Sequence, residues 1–152
     1  MHSRIFQVSM EPIKETDYIC EADYYDHWFT KEWADYVSND CNRDNAIEWL
    51  KECAKGYTVG KDDNGEYFII TNKEEYFKDA YDMFIDALDK IGRPTLEEFT
   101  NGIGLYLLRN AYEDKCGFYI DADGELMTFD SFVRRCVINE KYYIGNALDY
   151  HF

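Results

Sequence analysis

Two segments of this chain carry the pattern of a β-hairpin, and each leads into a helix-start signal. Residues 57–71 read YTVGKDDNGEYFIIT, with two β-rich runs on either side of the turn residues 63–65. Residues 117–129 read GFYIDADGELMTF, with an Asp-Gly pair at 123–124. Asn-Gly and Asp-Gly pairs favour tight hairpin turns because the turn positions require a positive φ. The sequence therefore predicts two antiparallel hairpins, each followed by a helix.

The rest of the chain alternates between strand and helix signals. HSRIFQVS (2–9) alternates as a strand does, and YYIGNALDYHF (142–152) predicts a last strand. Helices are predicted over 42–56, over 73–91 after an Asn72 cap, over 96–112 after a Thr95–Glu98 capping box, and through Cys136 after an Asp130 cap. The prediction is an α+β fold, a single small domain over residues 1–152 with two β-hairpins plus edge strands packed against about four helices.

The helices over 73–91 and 96–112 are expected to pack as neighbours, because only a short Gly-Pro connection separates them. Their apolar positions recur at helical spacing. The sequence therefore predicts one shared core made of Phe77, Tyr81, Phe84, Leu88, Ile103 and Leu107.

The stretch EADYYDHWF (21–29) permits two interpretations. If residues 22–37 form a helix, four aromatic side chains fall within an arc of about 80° and face a core. His27 then lies on the far side with Asp23 as a solvated pair. If the segment is a strand, His27 shares a face with Tyr25 and Phe29, and a catalytic role regains interest. We favour the helix, and expect no catalytic residues; a small enzyme using His27 stays open as an alternative.

The chain is strongly acidic, with 31 Asp and Glu against 16 Lys and Arg and a formal net charge of −15. Such a field repels nucleic-acid phosphates and anionic lipid and attracts basic surfaces. Direct DNA or RNA binding needs clustered basic side chains, and the only adjacent basic pair is Arg134-Arg135. We expect a basic, nucleic-acid-binding protein as partner, with no direct nucleic acid and no membrane. Solubility alone is the other explanation of the charge.

Cysteine usage and motif spacing predict no cofactor and no metal. The chain has five cysteines, no C-x-x-C pair and no secretory leader, which predicts reduced thiols and a cytoplasmic location. DADGELMTFDSF (121–132) lacks the glycine at position six and the glutamate at position twelve of a calcium loop. A zinc site from Cys20, His27, Cys41 and Cys53 would lack the usual close-spaced ligand pairs.

The predicted helix over 73–91 carries a row of carboxylates opposite its apolar stripe. They recur at spacings of four, three, four and three residues: Glu75, Asp79, Asp82, Asp86 and Asp89. At 1.5 Å per residue the row extends over about 21 Å, or one charge every ~5 Å, comparable with 3.4 Å per phosphate in a DNA strand. The row is either the solvated back of a surface helix or a mimic of nucleic acid. The lack of Lys or Arg within it favours mimicry, because self-paired helix faces alternate in sign.

Fourteen tyrosines and three tryptophans exceed the needs of a core of this size. Tyrosine is enriched at protein interfaces because it offers a large contact area with a polar tip. The aromatics therefore suggest an alternative, an adaptor or immunity-type protein that binds one cognate protein through an aromatic surface.

About a third of the chain resembles a known family. NGEYFI, then an amphipathic stretch, then TLEEFTNGIGLYLL is similar to the layout of KlcA/ArdB-type antirestriction proteins carried by plasmids. The resemblance implies an anti-defence role and assigns no functional residues. With the acidic row it leads to the first hypothesis: a non-enzymatic acidic inhibitor that occupies a basic, nucleic-acid-binding surface of a host restriction-type complex by mimicry.

Overall fold

The computed structural model describes residues 1–102, 104, 106, 108, 109 and 117–152. They form two compact units: a sheet unit, Met1–Lys73 with Gly117–Phe152, and a helical unit within Glu74–Cys116. The predicted α+β class is confirmed, because both a seven-stranded sheet and several helices are present. That residues 1–152 form one domain stays a prediction.

The sheet unit is built on one mixed sheet. Its strands are β1 His2–Ser9, β2 Tyr36–Ser38, β3 Tyr57–Asp62, β4 Gly65–Ile70, β5 Tyr119–Ala122, β6 Glu125–Thr128 and β7 Lys141–His151. The order is β3-β4-β7-β1-β5-β6, and β2 pairs with the end of β7. β1 and β5 run parallel, whereas the other pairs are antiparallel. Both predicted hairpins, β3–β4 and β5–β6, are confirmed and stand at the two ends of the sheet.

The strands from the two ends of the chain occupy the middle of this sheet rather than its edges. β1 matches its predicted range, and β7 spans most of the predicted last strand. Consecutive residues are buried in both strands, Ile5 with Phe6 and Ala147 with Leu148. Because successive side chains of a strand point to opposite faces, both faces of the sheet are covered at these strands.

Apolar layers therefore lie on the two faces of the sheet. One cluster gathers Ile5, Tyr24, Phe29, Tyr119, Leu148 and Tyr150 around α1, Trp28–Glu32. On the other face Phe68 packs its ring against those of Phe129, Phe132 and Tyr142. That layer is completed by α5, Phe129–Arg135, and by α2, Arg43–Glu52. Ile47 and Leu50 of α2 are buried.

The prediction of one helix over residues 22–37 is wrong. The segment breaks into a 3-10 turn, Glu21–Tyr24, the short α1, and strand β2. Of the expected aromatic stripe only Phe29 is buried, and three of its members, Tyr25, Trp33 and Tyr36, are exposed. Hydrogen bonds hold the chain where it breaks: the Thr30 hydroxyl donates to the carbonyls of Tyr24 and His27, and the His27 side chain caps α1. Pairing of Val37 with Tyr150 then draws the chain into the sheet.

In the helical unit, α3 spans Lys73–Ile91 as predicted, and α4 spans Leu96–Thr100 behind the predicted Thr95–Glu98 capping box. The predicted single helix over 96–112 is interrupted, because Gly102 adopts a left-handed φ of 70°. Residues 104, 106, 108 and 109 are again helical.

The predicted shared core of these helices is not confirmed, because none of its described members is buried. Tyr81 and Leu88 are exposed, at 59% and 40%, so neither is a core residue. Phe77 and Phe84 are half-buried. Ile103 and Leu107 lie outside the described residues. No helix in the described part of the chain is both long and apolar enough to cross a membrane.

Candidate functional site

The five carboxylates of the predicted row lie together on α3. Their side chains, Glu75, Asp79, Asp82, Asp86 and Asp89, are all exposed. The helix is continuous through all five positions, so the row extends over about 21 Å. The structure therefore presents the predicted partner-binding residues as one outward face of a single helix.

Two lysines on the same helix lie against this row. Lys78 forms an ion pair with Asp82, at 2.5 Å, and Lys90 lies 3.9 Å from Asp86. The row itself lacks Lys and Arg, and the sequence-based prediction therefore missed both lysines. Neither lysine is a member of the row, but each lies four residues from the carboxylate that it contacts. Exposed pairs of this kind contribute about 0.2–1 kcal/mol. These two pairs offset part of the negative charge at Asp82 and Asp86.

A second candidate site is a cleft of about 610 Å³ in the sheet unit. Its walls are the carboxyl ends of β1 and β5, residues from the segment 11–19, the 3-10 turn that ends at Tyr24, and His27 at the start of α1. Because β1 and β5 run parallel, with Val8 opposite Ala122, their carboxyl ends open on the same side. Ligand sites in α/β sheets commonly form at such carboxyl ends.

Gln7 shapes the cleft by holding its outer wall. The pairing of β1 with β7 shifts register beside Gln7, between Phe6 and Val8. The Gln7 side-chain amide donates to the carbonyl of Asp17 at 2.8 Å and accepts from the backbone amides of Ile19 and Asn146. A polar side chain at a bulge thereby anchors an otherwise irregular segment to the sheet.

The floor of the cleft holds a buried carboxylate. Asp121 is 8% exposed; its Oδ2 accepts from the Tyr24 hydroxyl at 2.7 Å and its Oδ1 from the Gly124 amide at 2.9 Å. Burial, together with the Asp121 carboxylate, raises the pKa of Tyr24 well above its ordinary value. Tyr24 therefore keeps its proton and acts as a donor to Asp121.

His27 lines this cleft with Asp23. The expectation that the two form a solvated pair on a helix is wrong, since Asp23 instead accepts from the Cys20 amide. The His27 Nδ1 accepts from the Phe29 amide at 3.3 Å, and its ring lies 5.3 Å from that of Tyr24. With Nδ1 accepting, neutral His27 carries its proton on Nε2.

Large aromatic side chains are exposed in a short stretch of the sheet unit. Tyr25, Trp28, Trp33 and Tyr36 are exposed by 67%, 46%, 43% and 47%. Tyr36 also stacks on His151, with ring centroids 5.4 Å apart. Exposed tryptophan and tyrosine are typical of protein-binding surfaces.

Among the described residues, no group of three His, Cys, Asp or Glu side chains is arranged to hold a metal ion. Burial raises the pKa of the Cys41 and Cys136 thiols, so both stay protonated and weakly nucleophilic near neutral pH.

Comparisons with family models, with curated proteins and with solved structures found no match to this chain.

Sequence reasoning missed the Tyr24–Asp121 pair at the floor of the cleft. The two residues are 97 positions apart, so no local pattern joins them. A weak signal existed, because Asp121 interrupts an otherwise β-rich run and occupies a position that the strand would bury.

Proposed function

We propose that this protein is an acidic, non-enzymatic inhibitor that occupies a basic, nucleic-acid-binding surface of a host defence complex of the restriction type. The observation that carries the proposal is the exposed row of five carboxylates on α3, in a chain with a net charge of −15. The resemblance of 64–69 and 95–108 to antirestriction proteins supports the choice of partner.

The physical basis is charge spacing. Five carboxylates on one regular helix place a negative charge every ~5 Å along a straight line, which a groove built for phosphates can accommodate. Lys78 and Lys90 are held by exposed pairs that a partner's arginines can displace at low cost, because each such pair contributes little.

The test is competition for DNA. Purified restriction complexes are loaded with a fluorescently labelled DNA duplex, and the protein is added at low and at physiological salt. We expect the protein to displace the duplex from at least one complex, with slower association at the higher salt, because charge steering is screened beyond about 8–10 Å.

A matched pair of variants shows whether the row itself acts. Asp79→Asn/Asp82→Asn/Asp86→Asn neutralises three exposed charges on α3, whereas Glu32→Gln/Glu52→Gln/Glu140→Gln neutralises three exposed charges in the sheet unit. Both change the net charge equally. We expect a several-fold slower association only for the first. Equal rates for the two variants, or no displacement by the native protein from any complex, would exclude mimicry by α3.

The exposed aromatics favour a second candidate, the adaptor that binds one cognate protein. Its contact would rest on Trp28 and Trp33, which are 46% and 43% exposed. Such binding should persist at high salt and be lost in the Trp28→Ala/Trp33→Ala variant, while the α3 variant binds normally. Loss of binding in high salt alone would speak against this candidate.

A further inference from the structure

The cleft in the sheet unit has the size and lining of a ligand site. Its volume of about 610 Å³ lies within the range of roughly 300–1,000 Å³ found for small-molecule sites. Val8, Ile13 and Ile19 supply apolar contact, and Tyr18 and Tyr24 supply aromatic surface. These groups can hold the hydrocarbon or planar part of a small molecule.

The charged groups of the cleft all have one sign. The lining contains five carboxylates and no lysine or arginine: Glu11, Asp17, Asp23, Asp121 and Asp123. Within the part of the chain that the structure describes, none of the five forms an ion pair with a basic side chain. The potential in the cleft is therefore strongly negative, and concave walls focus it.

Asp121 at the floor adds an independent reason to expect a cation. This carboxylate is 8% exposed, and its described partners are the Tyr24 hydroxyl and the Gly124 amide, both neutral. A buried charge is costly unless an opposite charge or several hydrogen bonds compensate it. Two hydrogen bonds leave acceptor positions on both oxygens, since a carboxylate can accept about four.

We infer that the cleft binds a small organic cation, an ammonium or guanidinium group carried on a short apolar chain. Its charged group lies at Asp121 beneath the rim of exposed carboxylates, and its chain contacts the apolar wall. A guanidinium suits this floor because it presents several donors in a fixed plane to a carboxylate and can stack on the tyrosine rings. The inference does not rest on the proposed function, because the α3 carboxylates are not part of the cleft.

The same chemistry can come from a free amine or from an arginine side chain, so both are tested. Isothermal titration uses agmatine, the blocked peptide acetyl-Gly-Arg-Gly-amide, and uncharged butyramide. We expect heat from agmatine, from the peptide or from both, and none from butyramide. The tighter of the two cations identifies the source. Absence of binding by both would overturn the inference.

Variants then locate the binding. Asp121→Asn should weaken cation binding about tenfold or more, the scale of a lost charged hydrogen bond. Asp121→Asn also disturbs the buried hydrogen bond with Tyr24. A second variant, Glu11→Gln/Asp123→Asn, therefore tests the cleft through two exposed carboxylates on its rim. Asparagine tolerates the left-handed backbone of Asp123, whose φ is 52°, so the turn is kept.

The matched control is Glu32→Gln/Glu52→Gln, which removes the same charge from exposed positions outside the cleft. We expect a several-fold loss of affinity in the rim variant and an unchanged affinity in the control. In amide NMR spectra, the cation should shift the signals of Gly124 and of the Gln7 side chain. An equal loss of cation affinity in the rim variant and in the control would show non-specific attraction and overturn the inference. NMR signal shifts spread over the whole protein surface would do the same.

Discussion

At the scale of single residues, two polar contacts have consequences that can be measured. Tyr24 donates to Asp121 in a buried setting, where a lost partner is not replaced by water. Glu66 is held between two cations, Lys61 at 2.7 Å and Arg43 at 2.9 Å, and Arg43 also donates to the β7 carbonyls of Ile144 and Gly145. Both contacts join segments that are distant in the chain or in different elements.

Replacing Tyr24 by phenylalanine should destabilise the protein by about 1–3 kcal/mol, because it leaves the buried Asp121 oxygen without its donor. The control is Tyr25→Phe, which removes a hydroxyl that donates to Glu21 at 3.2 Å on the surface. That change should stay within about 0.5 kcal/mol of the native value. Urea denaturation of both variants measures the difference, and similar losses would contradict a special role for the buried pair.

The Glu66 contact predicts a pH dependence. Its hydrogen bond with Lys61, and then that with Arg43, lower the pKa of Glu66 from 4.5 to about 2. A folded-state pKa below the unfolded value contributes stability above pH 4.5 and loses it as the pH falls toward 2. The stability gap between the native protein and Glu66→Gln, measured in urea at pH 6 and at pH 3, should therefore shrink at the lower pH. A constant gap would contradict this account.

At the scale of elements, the ends of helices follow side-chain caps, and the position of a cap depends on the preceding strand. The predicted cap of α5 was Asp130, but Thr128 caps it, accepting from the Ser131 amide at 3.2 Å. Thr128 is the last residue of β6, so its backbone is already extended, as an N-cap requires. The helix starts directly after the strand ends, and its cap lies two residues before the expected one.

Thr128→Ala should cost about 0.5–2 kcal/mol in the free energy of unfolding, because the Ser131 amide loses its acceptor. Thr128→Ser keeps the hydroxyl and should cost much less. Denaturant melts of the two variants, with circular dichroism as the signal, separate loss of the cap from loss of the methyl group. A serine variant as unstable as the alanine variant would show that packing, rather than capping, matters at this position.

At the scale of the whole molecule, the excess negative charge opposes the compact state. A net charge of −15 in 152 residues repels itself, and the repulsion is screened as salt is added. The ion pairs on α3 are screened too, but each contributes little.

Adding sodium chloride from about 10 mM to about 150 mM shortens the screening length from roughly 30 Å to roughly 8 Å. The urea midpoint of the native protein should therefore rise over this range. The Asp79→Asn/Asp82→Asn/Asp86→Asn variant carries less charge and should show a smaller rise. A midpoint that falls with salt would mean that attractive pairs, rather than net repulsion, dominate the electrostatics.

The row on α3 and both hairpins could be predicted from the sequence because each depends on residues close together in the chain. The turns at 63–65 and 123–124 and the Thr95–Glu98 capping box are of this kind. The prediction that Tyr81 and Leu88 are core residues was wrong, because both are exposed. An apolar stripe predicts which face of a helix is apolar, but it does not predict which element packs on that face. The prediction of a helix over residues 22–37 failed because residues 36–38 pair with β7 as strand β2. The helical spacing of the aromatic residues competes with this pairing, and no local pattern reveals it.

By itself, the sequence determined the hairpins, the strand at 2–9, the span of α3 and the negative sign of the charge, because short-range turn, cap and periodicity rules govern them. Only the tertiary structure decided that β1 and β7 lie in the middle of the sheet and that β5 runs parallel to β1. Those pairings join opposite ends of the chain. They bring Tyr24 to Asp121 across 97 residues and so create the acidic cleft. Such contacts depend on which apolar surfaces can be buried together, a property of the assembled chain rather than of any segment.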